Sequence, residues 1–180
     1  IGCEQVLDLE YLNNIRKENY NYLKSQLVKL FGDYIVPQKI THQESYYPYT
    51  AGFRWLSKKS KIHRDLVAKI LREEGIPVAS GVSRLMSDHP MFKKQIAFGR
   101  QGFPFSLGDN HFRKNYNIKP LINAKRLQEE EYLGFFQIGW PNSILDMDDI
   151  INTFHKILKN KNKLVSDKKL IQNKSFIPGR

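Results

Sequence analysis

The segment from Glu4 to Phe31 constrains this chain most. Val6, Leu9, Leu12, Ile15, Leu23, Leu27 and Leu30 recur mostly at helical spacing, and Gly32 follows as a stop. That pattern predicts one long amphipathic helix, or two with a kink near Asn19. A helix of some 28 residues rises roughly 40 Å, more than the diameter of a small domain. It is therefore expected to act as a spine linking two parts of a larger protein. Its charged face (Glu10, Arg16, Lys17, Glu18, Lys24) needs no explanation beyond solvation.

At 180 residues the chain suits one domain with a sizeable core, or a piece of something larger. It opens Ile1-Gly2-Cys3, with no initiator methionine and no basic stretch followed by an apolar run, and so reads as neither a native start nor a signal peptide. No apolar stretch approaches the roughly 20 residues of a membrane span. Cys3 is the single cysteine, and a cytoplasmic setting is expected on that ground. The net charge of +11, from 29 Lys+Arg against 18 Asp+Glu, invites a nucleic-acid reading. Much of the excess lies in the last stretch, KNKNKLVSDKKLIQNKSFIPGR, which has few large apolar residues and is expected to be mobile.

Along the body, YYPYTAGFRW (Tyr46 to Trp55) reads as an aromatic-rich strand region with Pro48 at its entry. Ser60 to Glu74 reads as a helix with Ser60 as N-cap, Ile62, Leu66 and Ile70 on one face, and Gly75 as its stop. Ile76 to Val82 follows as a short strand, and Phe92 to Pro120 as a long loop. Asn123 to Glu131 reads as a short helix and Phe135 to Trp140 as a strand closed by Pro141. The last helix has Asp146 as cap and Met147, Ile150, Ile151, Phe154, Ile157 and Leu158 on one face. Short strands separated by helices predict an α/β layer of helices on a small sheet.

The order of these elements and several local strings resemble the C-terminal part of the DegT/DnrJ/StrS sugar aminotransferases, pyridoxal-phosphate enzymes of fold type I. There a long helix leads into the small domain, then a strand, then a helix of the form R-x-x-L-x-x-x-L-x-x-x-G-I-P. The matching element is HRDLVAKILREEGIP, His63 to Pro77. A loop similar to P-L-H-x-x-P-x-F follows as RLMSDHPMF, with Met86 at the position where the family often has His or Tyr. A segment similar to N-A-E-R-L follows as NAKRL, Asn123 to Leu127, and the closing helix carries Asp148-Asp149-Ile150 and Lys156-Ile157-Leu158. The string EEGIPVASGVSRL is closer to members acting on keto-inositols or aminated carbocycles.

The resemblance implies an α/β fold: the small C-terminal domain of a fold type I pyridoxal-phosphate-dependent transferase, a small sheet with helices packed on it. Residues 1–32 would link to a missing large domain, 33–160 would form the small domain, and 161–180 a basic tail. It implies amino transfer from glutamate or glutamine to a keto-sugar or keto-cyclitol, in a homodimer when full length, with the substrate cleft built at the dimer interface. The lysine that holds pyridoxal phosphate and the aspartate that pairs with its pyridine nitrogen would both lie in the missing domain. The chain alone would then hold no catalytic residue and be inactive.

Within it, Arg84 and His89 are the candidate substrate-binding donors, aimed at hydroxyls or a carboxylate, with Asp88 either orienting the imidazole or capping local backbone. Tyr46, Tyr47 and Tyr49 are expected to pack against a helix rather than line a pocket. His63 and His155 are expected to be solvated, and His42 and His111 have no metal-like partners, so no metal site is expected. The competing class is a non-catalytic module for single-stranded nucleic acid, with GFRWLSKK and HFRKNYN interleaving aromatic and basic residues.

Overall fold

The computed structural model describes residues 2–41, 46–81, 84–96, 98–107 and 121–166. The opening helical stretch breaks early, at Asp8 rather than near Asn19, into α1 (Gly2–Leu7) and α2 (Leu9–Phe31). Strand β1 (Ile35–Pro37), which the sequence pattern did not reveal, is followed by β2 (Ala51–Trp55), α3 (Ser57–Ser60), α4 (Arg64–Glu73) and β3 (Val78–Ser80). A 3-10 turn (Met86–Asp88) and α5 (Pro90–Lys94) come next. After α6 (Ile122–Arg126), a π-helical turn (Leu127–Glu131) runs directly into β4 (Tyr132–Phe135), and α7 (Ile144–Lys159) and α8 (Lys161–Ser166) complete the described chain. The strands form one antiparallel sheet in the order β1-β2-β4-β3. The fold is α/β, as expected, with helices packed on this small sheet.

Several boundaries differ from the sequence reading for local reasons. Ser60 ends α3 instead of starting α4: Lys61 turns left-handed at φ 61°, and the Ser60 hydroxyl donates to the Ile62 carbonyl at 3.1 Å. The N-cap of α4 is His63, whose Nδ1 accepts from the Asp65 backbone N–H at 3.2 Å, so this imidazole has a backbone partner as well as water. Gly75, at φ 86°, supplies the left-handed stop. Strand β4 lies three residues before the predicted position, because the chain leaves the sheet at Phe136 and turns through residues 137–141. Of the predicted mobile tail, Lys161–Ser166 is helical, with Leu164 packed against the core. Residues 167–180 lie outside the described residues.

The start of α7 is a capping box. Ser143 is the N-cap, and the carboxylate of Asp146 accepts from its backbone N–H at 2.7 Å and its hydroxyl at 2.9 Å. These donors hold the Asp146 carboxyl below its ordinary pKa, the backbone N–H contributing most. A carboxyl depressed on folding stabilises the fold above its unfolded pKa and loses that contribution as pH falls through the folded one. Asp146→Asn should therefore flatten the acid limb of a stability-versus-pH curve below the ordinary carboxylate range. Urea midpoints measured from pH 6 down to pH 2 for both proteins check this.

Residues of α2 and α7 run parallel, and their contacts step along both helices together. The Asn19 amide donates to the carbonyls of Ile138 at 3.1 Å and Asn142 at 2.9 Å, and the Tyr22 hydroxyl donates to Asp148 at 2.6 Å. Phe31 meets His155 edge-on at 4.7 Å. The second half of α2 thereby buries Leu23, Leu27 and Phe31, while Leu9 and Tyr11 at its start, and Val6 and Leu7 of α1, stay exposed. Beneath these helices Phe53 and Trp55 of β2, Phe135 of β4, Val67 and Leu71 of α4, and Phe154 of α7 form the core. Burial at alternate positions of β2 is the period-two signature of a sheet with one face inward.

Candidate functional site

The π-helical turn organises the one side of the molecule where loop residues 84–95 meet α6. Its carbonyls are gathered by Arg64, which is 1% exposed. The guanidinium donates to the carbonyls of Gln128 at 3.1 Å, Glu129 at 2.9 Å and Tyr132 at 2.8 Å, and to the Asp65 carboxylate at 2.6 Å. A planar fork of donors suits a turn whose carbonyls have lost their regular helical partners. Gly81 closes the other side. It lies at φ 78°, donates its N–H to the Tyr132 carbonyl at 3.2 Å, and any Cβ there would collide with the Gln128 carbonyl oxygen. Gly81→Ala should cost at least about 2 kcal/mol from the left-handed backbone alone, with further loss from the collision; a thermal melt against the parent protein tests this.

Against this turn the loop forms a cleft of about 890 Å³. Leu85, Asp88, Phe92 and Lys93 make one wall, Leu121, Ile122, Lys125, Arg126, Glu129 and Glu130 the other, and Lys58 reaches in from α3. Several charges are already paired. Asp88 and Lys93 meet at 2.7 Å, Lys125 and Glu129 at 3.9 Å, and Glu131 faces both Arg54 at 2.7 Å and Arg126 at 3.4 Å. The Lys93 ammonium holds the Asp88 carboxyl below its ordinary pKa, helped by Lys125 and Arg84. Asp88 is thus an ionised member of an ion pair.

The two sequence candidates separate. Arg84 is exposed and borders a hollow of about 470 Å³ beside the cleft, shared with Asp88, Lys93 and Glu129. His89 caps α5, its Nδ1 facing the Met91 backbone N–H at 3.5 Å, and does not line the cleft. Asp88 does not orient it, because its partner is Lys93. Lys58, Lys125, Arg126 and the carboxylates of the π-helical turn were not singled out from the sequence. A π turn has no compositional signature, and NAKRL entered the sequence reading only through its resemblance to N-A-E-R-L.

The tyrosines divide as well. Tyr46 packs on the core, its ring 5.2 Å from that of Tyr20, but contrary to expectation it also lines a cavity beside α2, whereas Tyr47 and Tyr49 are exposed. In GFRWLSKK, Phe53 and Trp55 are 2% and 0% exposed, so neither ring can stack on a base. HFRKNYN lies outside the described residues. Among the described residues no cluster of His, Cys, Asp or Glu is arranged to hold a metal ion, and no helix is long and apolar enough to cross a membrane.

A lysine that carries pyridoxal phosphate must be available as the neutral amine, which burial or a neighbouring cation enforces. No lysine is buried among the described residues. Lys93 and Lys125, the cleft lysines with ion pairs, are 60% and 66% exposed, and each faces a carboxylate. These residues do not fit an anchor for the cofactor.

No family model matches the chain, and no curated protein matches it. Solved structures do. The chain is similar to the X-ray structure of the aminotransferase from Psychrobacter cryohalolentis, with a TM-score of 0.59 and 14% identity, over 89% of this chain and 38% of that one. At that identity the likeness is one of fold. The chain spans well under half the length of that enzyme and shares the α/β architecture of the portion it covers.

Proposed function

We propose that this chain is the small-domain portion of a pyridoxal-phosphate-dependent aminotransferase of the DegT/DnrJ/StrS type, which moves an amino group from glutamate or glutamine to a keto-sugar or keto-cyclitol. The observation that carries the reading is the shared fold across 89% of the chain with part of an aminotransferase. Pyridoxal phosphate, when bound, supplies the electron sink for moving the amino group. It would be held by the rest of the enzyme, in keeping with the unsuitable lysines of this chain. The part played by these residues is binding and orientation. Arg84, beside the ion-paired Asp88 and Lys93, offers donors to substrate hydroxyls or a carboxylate, and His89 keeps its Nε2 for the same use. Activity would require the whole chain, as a homodimer.

The first test is the absorbance spectrum of the whole gene product that carries this chain, incubated with pyridoxal phosphate and then with glutamine or glutamate. A protein-bound cofactor band that bleaches with the amino donor supports the reading, and its absence sinks it. In an active enzyme, Arg84→Ala should raise KM for the keto substrate roughly 10- to 100-fold, as loss of a charge-assisted hydrogen bond would, with kcat far less affected. The 180-residue chain alone should show no turnover.

A further inference from the structure

A second cavity, of about 520 Å³, lies apart from the cleft, between α2 and the segment carrying Ile40 and Tyr46. Lys17, Asn21, Lys24 and Ser25 line it from one face of α2, the spacing at which helical side chains stand in a row. Val28, Ile40 and the Tyr46 ring provide the apolar surface. Among the described residues no carboxylate lines this groove. Neither ammonium has a carboxylate partner among the described residues; each sits over a ring instead, Lys17 at 5.7 Å from the Tyr47 centroid and Lys24 at 6.0 Å from that of Tyr20. Tyr20 itself is 1% exposed and packs against Tyr46, ring to ring, at 5.2 Å.

Two lysines without carboxylate partners among the described residues, set two helical turns or about 10 Å apart along the axis of α2, with apolar side chains beside them, describe a receptor for a particular kind of molecule. We propose that the groove binds a small organic dianion, with two carboxylate or phosphate groups joined by an apolar middle. Each anionic end would meet one lysine, with the Asn21 amide as a further donor, and the middle would lie on Val28 and Ile40. The volume suits a ligand of metabolite size. The rings beneath the ammonium groups hold the cations in place without neutralising them. This inference does not rest on the aminotransferase reading.

The test is an amide-resolved NMR titration of the 180-residue chain with suberate, succinate and inorganic phosphate, each at low and high salt. Suberate should shift the amides of Asn21, Lys24 and Ser25 saturably, bind several-fold more tightly than succinate, and weaken with salt. The double variant Lys17→Ala/Lys24→Ala should bind at least about 10-fold more weakly while keeping its far-ultraviolet circular dichroism, since alanine favours helix. Arg84→Ala should leave suberate binding unchanged. Three results would each overturn the proposal: no saturable shift, equal binding of phosphate and suberate, or full affinity in the double lysine variant.

Discussion

Replacing Arg64 by alanine is expected to destabilise the protein by about 3–5 kcal/mol, the cost of breaking a buried charged network by removing one member. The side chain holds three carbonyls and a carboxylate, and almost none of it reaches water. Without it the carbonyls of Gln128, Glu129 and Tyr132 lose donors that water is poorly placed to replace. Lysine keeps the charge but not the planar fork, so Arg64→Lys should recover only part of the loss. Urea unfolding of the parent and both variants measures this. An Arg64→Ala midpoint within about 1 kcal/mol of the parent would show that the π-helical turn holds itself. The same change should loosen the cleft wall, because Glu129 and Glu130 stand on the turn that Arg64 secures.

Trp55→Ala should cost a similar amount, about 3–5 kcal/mol, through the cavity left by a large aromatic side chain. Trp55 is 0% exposed and stacks on Phe154 at 5.9 Å, so the loss falls where β2 meets α7. Trp55→Phe is the informative control. The indole Nε1 donates to the Ile62 carbonyl at 2.9 Å, but that carbonyl also accepts from the Ser60 hydroxyl at 3.1 Å. Removing the indole donor therefore leaves no buried acceptor unpaired, and the phenylalanine variant should lose well under half as much. Equal losses for the two variants would place the energy in the hydrogen bond rather than in packing.

What could be read in the sequence followed from periodicity. The apolar row of α7, the Gly75 stop and the α/β class all express a repeating pattern or a residue with a special backbone, whereas of the row read along the first helix only Leu23 and Leu27 are buried. The cap of α4 was misread because serine is the commoner N-cap, while His63 fills the role with a ring nitrogen two residues from its donor. Strand β1, with only three residues, is too short to show alternation. Strand β4 is displaced because YLGFFQIGW is apolar but for Gln137, and only the exit of the chain at Phe136 decides which part pairs. Of the cleft, RLMSDHPMF supplies part of one wall, through Leu85, Asp88 and Phe92. The partner of Asp88 was not legible, because Lys93 comes within reach only once α5 brings it back over the 3-10 turn.

The sheet order also has a kinetic side. The two central strands, β2 and β4, pair with Ala51 opposite Phe135, and Phe53 opposite Leu133. Roughly 80 residues must close into a loop before the first of those rungs can form, at an entropic cost that no local contact offsets in advance. The rate of folding should therefore be set by this distant encounter. A flexible insert lengthening the connection between β2 and β4 should slow folding while changing the equilibrium stability of the sheet much less.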